Sequence, residues 1–136
     1  MGLFRYNRII RLQETDATGV LYFAEQLKIA LEAFEDFLIH KGFSLNQLIE
    51  SPYLMPVVHA EADYFAPLKV GDRVNISISL SRLGEKSFTL HYVFHDPVRA
   101  IDVGTVTLIH VTVDGKTRSS LPIPESIALL LHEIDA

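Results

Sequence analysis

No cysteine occurs among the 136 residues. That absence excludes disulfides, thiolate zinc sites, iron–sulfur clusters and cysteine nucleophiles together, and it accords with a reducing cytoplasm. Long apolar runs are missing too: Ile127–Leu131 is among the longest, against the roughly 18 residues that a membrane span requires. Nor is there an excess of positive charge. Twelve Lys and Arg stand against 17 Asp and Glu, a net charge of -5, whereas nucleic acid or an anionic membrane as partner calls for a basic face. The opening residues Met1-Gly2-Leu3-Phe4-Arg5-Tyr6 form no signal-peptide core, and Tyr6 stands where myristoylation needs Ser or Thr. With no repeat, low-complexity stretch or compositional break, residues 1–136 are expected to form one domain, in the cytoplasm.

What is present is patterned. Phe4 to Gln13 alternates loosely, with Phe4, Tyr6, Ile10 and Leu12 against Arg5, Asn7, Arg11 and Gln13; a period of two predicts a strand with one wet face. From Ala24 to Lys41 the period becomes helical. Leu27, Ala30, Leu31, Phe34 and Leu38 form an apolar stripe, Ile29, Ala33 and Phe37 widen it, and Glu25, Lys28, Glu32, Glu35 and Asp36 leave a narrow polar one. Such a helix is largely buried, and Gly42 is placed to end it. Beyond Ser51-Pro52 the spacing predicts strands at Val57–Phe65, Arg73–Leu83, Ser87–His95, Ala100–Val113 and Lys116–Leu121, the last joined by an Asp114-Gly115 hairpin, and then a helix at Glu125–Leu131. One strand, one buried helix and an antiparallel meander is an α+β pattern. A single sheet around a helix leaves an edge and a face uncovered, so a homo-oligomer is expected; the outward-facing Asn75, Ser77, Ser79 and Ser81 suit a solvated face equally well.

Familiar catalytic motifs are absent. Gly115-Lys116-Thr117 looks like the end of a phosphate-binding loop, but His110 stands where the earlier glycine is needed. No Gly-x-Ser-x-Gly elbow and no dinucleotide fingerprint occurs. His91 and His95 share a strand face at roughly 13 Å, too far for one metal ion. His59 and Glu61, two apart on a strand, read as a packed, hydrogen-bonded core pair, and no metal site is expected.

The informative stretch is Glu14-Thr15-Asp16-Ala17-Thr18-Gly19-Val20-Leu21-Tyr22-Phe23, between the first strand and the long helix. It offers a carboxylate on an irregular loop, a glycine and then a helix amino terminus, whose unpaired N–H groups and dipole suit an oxyanion. A carboxylate beside such donors can attack a polarised carbonyl or activate water toward it. Taken alone, the segment reads better as a turn in which Asp16 is a turn or capping residue.

Asp16-x-x-Gly19-Val20-Leu21-Tyr22 leading into an apolar helix resembles the signature of the 4-hydroxybenzoyl-CoA thioesterase family, which has the hotdog fold. Asp63-Tyr64-Phe65-Ala66-Pro67 with Gly71-Asp72, Gly84-Glu85-Lys86-Ser87-Phe88 and Pro122-Ile123-Pro124 resemble later parts of the family pattern, in order along nearly the whole chain. In detail the match is nearest to the branch that hydrolyses 1,4-dihydroxy-2-naphthoyl-CoA for phylloquinone (vitamin K1) synthesis. The resemblance implies an antiparallel sheet wrapped around one long central helix, dimers with continuous sheets and interface active sites, and tetramers of those dimers. It gives Asp16 the part of the catalytic carboxylate, as nucleophile or general base. Phe23 becomes the backbone N–H donor to the thioester oxygen, and Gly19 shapes the loop. Glu25 replaces an Asn common in relatives and Phe23 a His, changes that leave a backbone donor intact.

A thioester releases a thiolate whose parent thiol has a pKa of about 8.5, so one carboxylate suffices without a strong general acid. No cofactor is expected, CoA being part of the substrate. Its phosphates call for basic residues, and the charge does segregate: residues 1–63 carry five basic and nine acidic groups, residues 64–124 seven and five. Lys86, Lys116 and Arg118 are the expected phosphate contacts. Tyr22, Tyr53, His59, Tyr64 and Phe65 are the expected acyl-pocket lining. Other aryl or short-chain acyl-CoA thioesters are the alternative substrates, and a non-catalytic acyl-binding protein is the alternative role.

Overall fold

The computed structural model describes residues 3–135; Met1, Gly2 and Ala136, and with them the start of the amino-terminal reading above, lie outside the described residues. Strand β1 covers Phe4–Ile9. It ends sooner than the alternation predicts, because Glu14 curls the chain: its carboxylate accepts the Arg11 N–H at 2.8 Å and its own N–H bonds the Arg11 carbonyl at 3.0 Å. Leu12 thereby enters a single 3-10 turn, Leu12–Glu14, and is 75% exposed instead of facing the core.

Helix α1 covers Glu25–His40, within a residue of expectation at each end. Gly42, at φ +92°, supplies the left-handed step that lets the Phe43 N–H fold back onto the Leu38 carbonyl at 2.9 Å. A second helix, α2 at Leu45–Glu50, was not among the expected elements; Ser44 and Gln47 cap it reciprocally, each side chain accepting the other's N–H. The remaining elements are β2 (Tyr53–Leu54), β3 (Val57–Tyr64), β4 (Arg73–Leu83), β5 (Ser87–Asp96), β6 (Ile101–Val111), β7 (Val113–Asp114) and α3 (Glu125–His132). No strand forms at 116–121. The Asp114 carboxylate accepts the N–H groups of Lys116 and Thr117, and Arg118 sits at φ +65°, so the chain curls and makes only one bridge, Val113 to Ser120.

The main sheet is antiparallel throughout, in the order β1-β4-β5-β6-β3, and β2 pairs with β7 apart from it. Alternation gives the sheet an apolar inner face: Val74, Ile76, Ile78 and Leu80 on β4, Phe88, Leu90, Tyr92 and Phe94 on β5, Val106 and Leu108 on β6, all buried. Helix α1 lies across that face with Ile29, Ala30, Ala33, Phe34, Phe37 and Leu38 buried, the alanines bringing it close to the strands. A ring as fully enclosed as Phe37 contributes roughly 2–3 kcal/mol through burial. This is the sheet-wrapped helix of the hotdog fold.

The sheet has two distinct ends. Arg73, His95, Gly104 and Tyr64 mark one; Leu83, Ser87, Val111 and Val57 mark the other. Helix α1 starts at the first end, where Gln26 reaches Asp63 and Thr105, and runs to the second, where Phe34 meets Phe88 and His110. Edge strand β3 is unlike the others: only Ala62 is half-buried, and the rest is exposed on both faces. His59 and Glu61, expected in the core, therefore lie in the open, 3.5 Å apart on its outer face. No described helix is long and apolar enough to cross a membrane.

Candidate active site

The segment after the 3-10 turn folds back on itself. Thr15 bridges Leu21, the Asp16 N–H donates to the Val20 carbonyl at 2.8 Å, and the Gly19 N–H to the Asp16 carbonyl at 3.0 Å. Gly19 makes this turn at φ +79°, where a side chain is strained. The returning arm is pinned outside the loop as well, Leu21 N–H to Leu68 carbonyl at 2.7 Å and Val70 N–H to Gly19 carbonyl at 3.2 Å.

The Asp16 side chain stands exposed at the turn. Its Oδ1 accepts the Thr18 N–H at 2.8 Å, the Thr18 hydroxyl at 2.6 Å and, more weakly, the Val20 N–H at 3.4 Å. Oδ2 takes no hydrogen bond among the described residues. The Thr18 hydroxyl, followed by its N–H, holds the carboxyl below the usual carboxylate range, so Asp16 is an anion at neutral pH with one oxygen uncommitted.

The loop closes where the Tyr22 N–H donates to the Glu14 carbonyl at 2.9 Å, and the Glu25 N–H then bonds the Tyr22 carbonyl to start α1. Between them, the N–H groups of Phe23 and Ala24 find no partner among the described residues. They are the open donors of a helix amino terminus, where the backbone dipoles favour negative charge. The Tyr64 hydroxyl, kept protonated by partial burial, donates to the Phe23 carbonyl at 2.6 Å and so ties the end of β3 to this turn.

Beside the loop lies a cleft of about 320 Å³, walled by Val20, Leu21, Phe23, Gln26, Tyr64, Phe65 and neighbours up to Leu68. Asp16 is not one of its walls. Of the expected pocket residues, Tyr64 and Phe65 meet here, beside Phe23, the expected backbone donor. Tyr22 is exposed with its ring 4.7 Å from that of Phe23. Tyr53 lines a different cavity with Phe34, Leu38 and His110, and His59 lies on the open strand. Lys86, Lys116 and Arg118 sit at the second end of the sheet, beyond the far ends of β4 and β7. With 11 residues in β4, that places them about 35 Å from the Asp16 end within one subunit.

Gln26 was missed by the sequence reading. It is 2% exposed, and its amide donates to the carbonyls of Asp63 (3.1 Å) and Thr105 (3.2 Å). It lies over Gly104, where a Cβ would come within 2.8 Å of the amide nitrogen. The signal was available: Gln26 falls at helical spacing from Ile29, Ala30 and Ala33, a polar group inside the apolar stripe.

Similarity to known proteins accords with this geometry. The thioesterase-like superfamily model matches residues 10–131. A 1,4-dihydroxy-2-naphthoyl-CoA hydrolase of Nostoc punctiforme is 36% identical over 130 residues, covering 95% of this chain and 86% of that one. The chain belongs to the thioesterase-like superfamily. Its structure is similar to the crystal structure of a 1,4-dihydroxy-2-naphthoyl-CoA thioesterase from Synechocystis, with a TM-score of 0.90, 29% identity and 99% of each chain covered. It is also similar to that of a gentisyl-coenzyme A thioesterase, with a TM-score of 0.83, 28% identity, and coverage of 92% of this chain and 99% of the other. The hotdog fold and the thioesterase class expected from the resemblance are borne out. Among the described residues no group of three or more His, Asp or Glu side chains is placed to hold a metal ion.

An ionised carboxylate and unpaired N–H groups thus sit on one short, multiply pinned loop. Such an arrangement can serve acyl transfer: a carbonyl polarised by N–H groups of this kind can be attacked by a carboxylate, or by water that the carboxylate deprotonates, with a thiolate able to depart unaided.

Proposed function

We propose that this thioesterase hydrolyses 1,4-dihydroxy-2-naphthoyl-CoA, the step the resemblance assigns to phylloquinone synthesis, with Asp16 as nucleophile or general base and the Phe23 N–H steadying the developing oxyanion. The observation that carries the chemistry is the Asp16 carboxylate, anchored through Oδ1 to Thr18 with Oδ2 uncommitted, on the same loop as the partner-free Phe23 N–H. The substrate rests on the relatives that act on the naphthoyl thioester, together with a cleft walled by Phe23, Tyr64 and Phe65 that offers an aryl group stacking surfaces. CoA is part of the substrate, no cofactor is required, and the cysteine-free chain suits the cytosol.

The working unit of this proposal is a dimer, assembled further into a tetramer. Strand β3 presents an unpaired edge with both faces open, and two such edges paired antiparallel about a two-fold axis form one continuous sheet. That pairing carries the first end of one subunit toward the second end of its mate. It offers a reason for the separation of Lys86, Lys116 and Arg118 from Asp16: the phosphates would be held by the mate.

A second reading, hydrolysis of other single-ring aryl-CoA esters, is favoured by the similarity to the gentisyl-coenzyme A thioesterase. A panel of CoA thioesters (naphthoyl, gentisyl, benzoyl, phenylacetyl, acetyl) assayed by free-thiol release separates the two. The naphthoyl ester is expected to give the highest kcat/KM by about 10-fold or more; a higher value for a single-ring ester selects the second reading. Binding of CoA esters without hydrolysis of any leaves a non-catalytic acyl-binding role. A monomer by light scattering at micromolar concentration overturns the interface site.

A further inference from the structure

Arg8 breaks the pattern of its strand. It shares the inward face of β1 with Phe4 and Tyr6, a position where an apolar side chain would pack at no electrostatic cost. Its side chain is only 10% exposed, and every guanidinium nitrogen is engaged. Nη1 donates to Glu32 of α1 at 3.0 Å, Nη2 grips the Glu14 carboxylate, and Nε bonds the Ile9 carbonyl at 3.3 Å. Glu32 also accepts the Tyr6 hydroxyl, whose pKa is pushed up to about 12 by burial and by that carboxylate, so the phenol stays a donor. Burial alone would raise the Glu14 pKa, but Arg8 and the Arg11 N–H more than offset it and keep the carboxylate ionised.

Glu14 is the foot of the Asp16 loop. Its backbone carbonyl receives the Tyr22 N–H and so closes the loop. Asp16 stands two residues inside that closure and Phe23 one residue beyond it. The second arm is pinned to Leu68 and Val70; the first arm leaves the body at Ile10, which exchanges backbone hydrogen bonds with Gly71 and Asp72, and between that point and the loop Glu14 ties it to the body through its side chain.

We propose that Arg8 is a positioning residue for the hydrolysis: by clamping Glu14 between β1 and α1, it sets the distance between the Asp16 carboxylate and the Phe23 N–H. The assignment rests on the proposed roles of Asp16 and Phe23. Arg8 acts through Glu14 alone, since Thr18 and Val20 supply the hydrogen bonds to Asp16.

The test measures kcat, KM, thermal unfolding and amide hydrogen exchange on the assembled protein and its Arg8→Met, Arg8→Lys and Glu14→Gln variants, with naphthoyl-CoA as substrate. Arg8→Met keeps the stem and removes the fork. Its kcat is expected to fall about 10-fold or more with KM changed less than about 3-fold. The hydrogen-bonded amides from Thr18 to Tyr22 are expected to exchange about 10-fold faster while those of β4 and β5 keep their protection. Arg8→Lys recovers part of the loss, as a charge without the fork. Glu14→Gln matches Arg8→Met, and the double variant is no slower than either single one. A folded Arg8→Met or Glu14→Gln protein with kcat within about 2-fold of the unsubstituted enzyme overturns the assignment. Unaltered exchange in the loop overturns it too. Should Arg8→Met fail to fold, Arg8→Lys and Glu14→Gln decide. If the unsubstituted protein cleaves no aryl-CoA thioester, the functional reading falls, and the exchange data alone decide whether the clamp holds the loop.

Discussion

Two aspartates at opposite ends of the sheet are dressed almost alike. Asp16 accepts the Thr18 N–H and hydroxyl, Asp114 accepts the N–H groups of Lys116 and Thr117, and in each case those donors hold the carboxyl below its ordinary range. Both turns contain a residue in the left-handed region, Gly19 at φ +79° and Arg118 at φ +65°. What separates them is the company. The Asp16 loop leads directly to the open N–H groups ahead of a 16-residue helix and to an aromatic-walled cleft. The Asp114 turn closes onto Pro52 and the short β2–β7 pair. A hydrogen-bonded turn aspartate is therefore no site by itself; partner-free donors of opposite polarity nearby turn it into a candidate catalyst.

The largest test of that contrast is Asn substitution at each aspartate. Asn keeps the acceptor oxygen and so the turn, but it loses the negative charge. Asp16→Asn is expected to lower kcat about 10³-fold, whereas Asp114→Asn leaves kcat within about 2-fold, both read by thiol release. Equal losses would erase the distinction drawn above. Next in size is the backbone. Gly19→Ala meets no atom within 4 Å, so its cost is conformational alone, about 1 kcal/mol in denaturant unfolding. Arg118 already bears that strain; Arg118→Gly is expected to change stability by less than about 0.5 kcal/mol, relief of strain offsetting the extra freedom of the unfolded chain. The smallest effect is in pH dependence. Thr18→Val removes the hydroxyl that does most to keep Asp16 ionised, so the Asp16 pKa rises. Activity that needs the anion is lost as pH falls through that pKa, so the acid limb of kcat/KM moves to higher pH. Thr117→Val at the other turn leaves the limb in place.

The elements with strong local pattern were legible in the sequence: α1 from its apolar stripe and Gly42, β4 from strict alternation, β5 from its bounding turns. Asp16, Gly19 and Phe23 were legible as a group because they sit on one contiguous segment. Features decided by side-chain hydrogen bonds that redirect the backbone, or by contacts between distant residues, were not. Leu12 turns outward because Glu14 is drawn to Arg8 and the Arg11 N–H; residues 116–121 fail as a strand because Asp114 consumes the N–H groups that start it. His59 looked like a core residue because alternation cannot tell a central strand from an edge. The separation of Lys86 from Asp16 follows from strand order, which composition does not encode. Arg8 and Gln26 carried a local mark, a polar side chain on an inward position, but their partners lie up to 79 residues away.

The contact of Gln26 with Gly104 has a mechanical meaning. The opening turn of α1 is bolted into a notch of the sheet that only glycine leaves vacant, and the bolt engages two strands at once, β3 through Asp63 and β6 through Thr105. The helix can neither slide along its axis nor rotate without tearing that joint. In the proposed reaction, a pull on the Phe23 peptide by a charged oxygen would be resisted by the whole framework, with the donors acting as a rigid anvil instead of a spring.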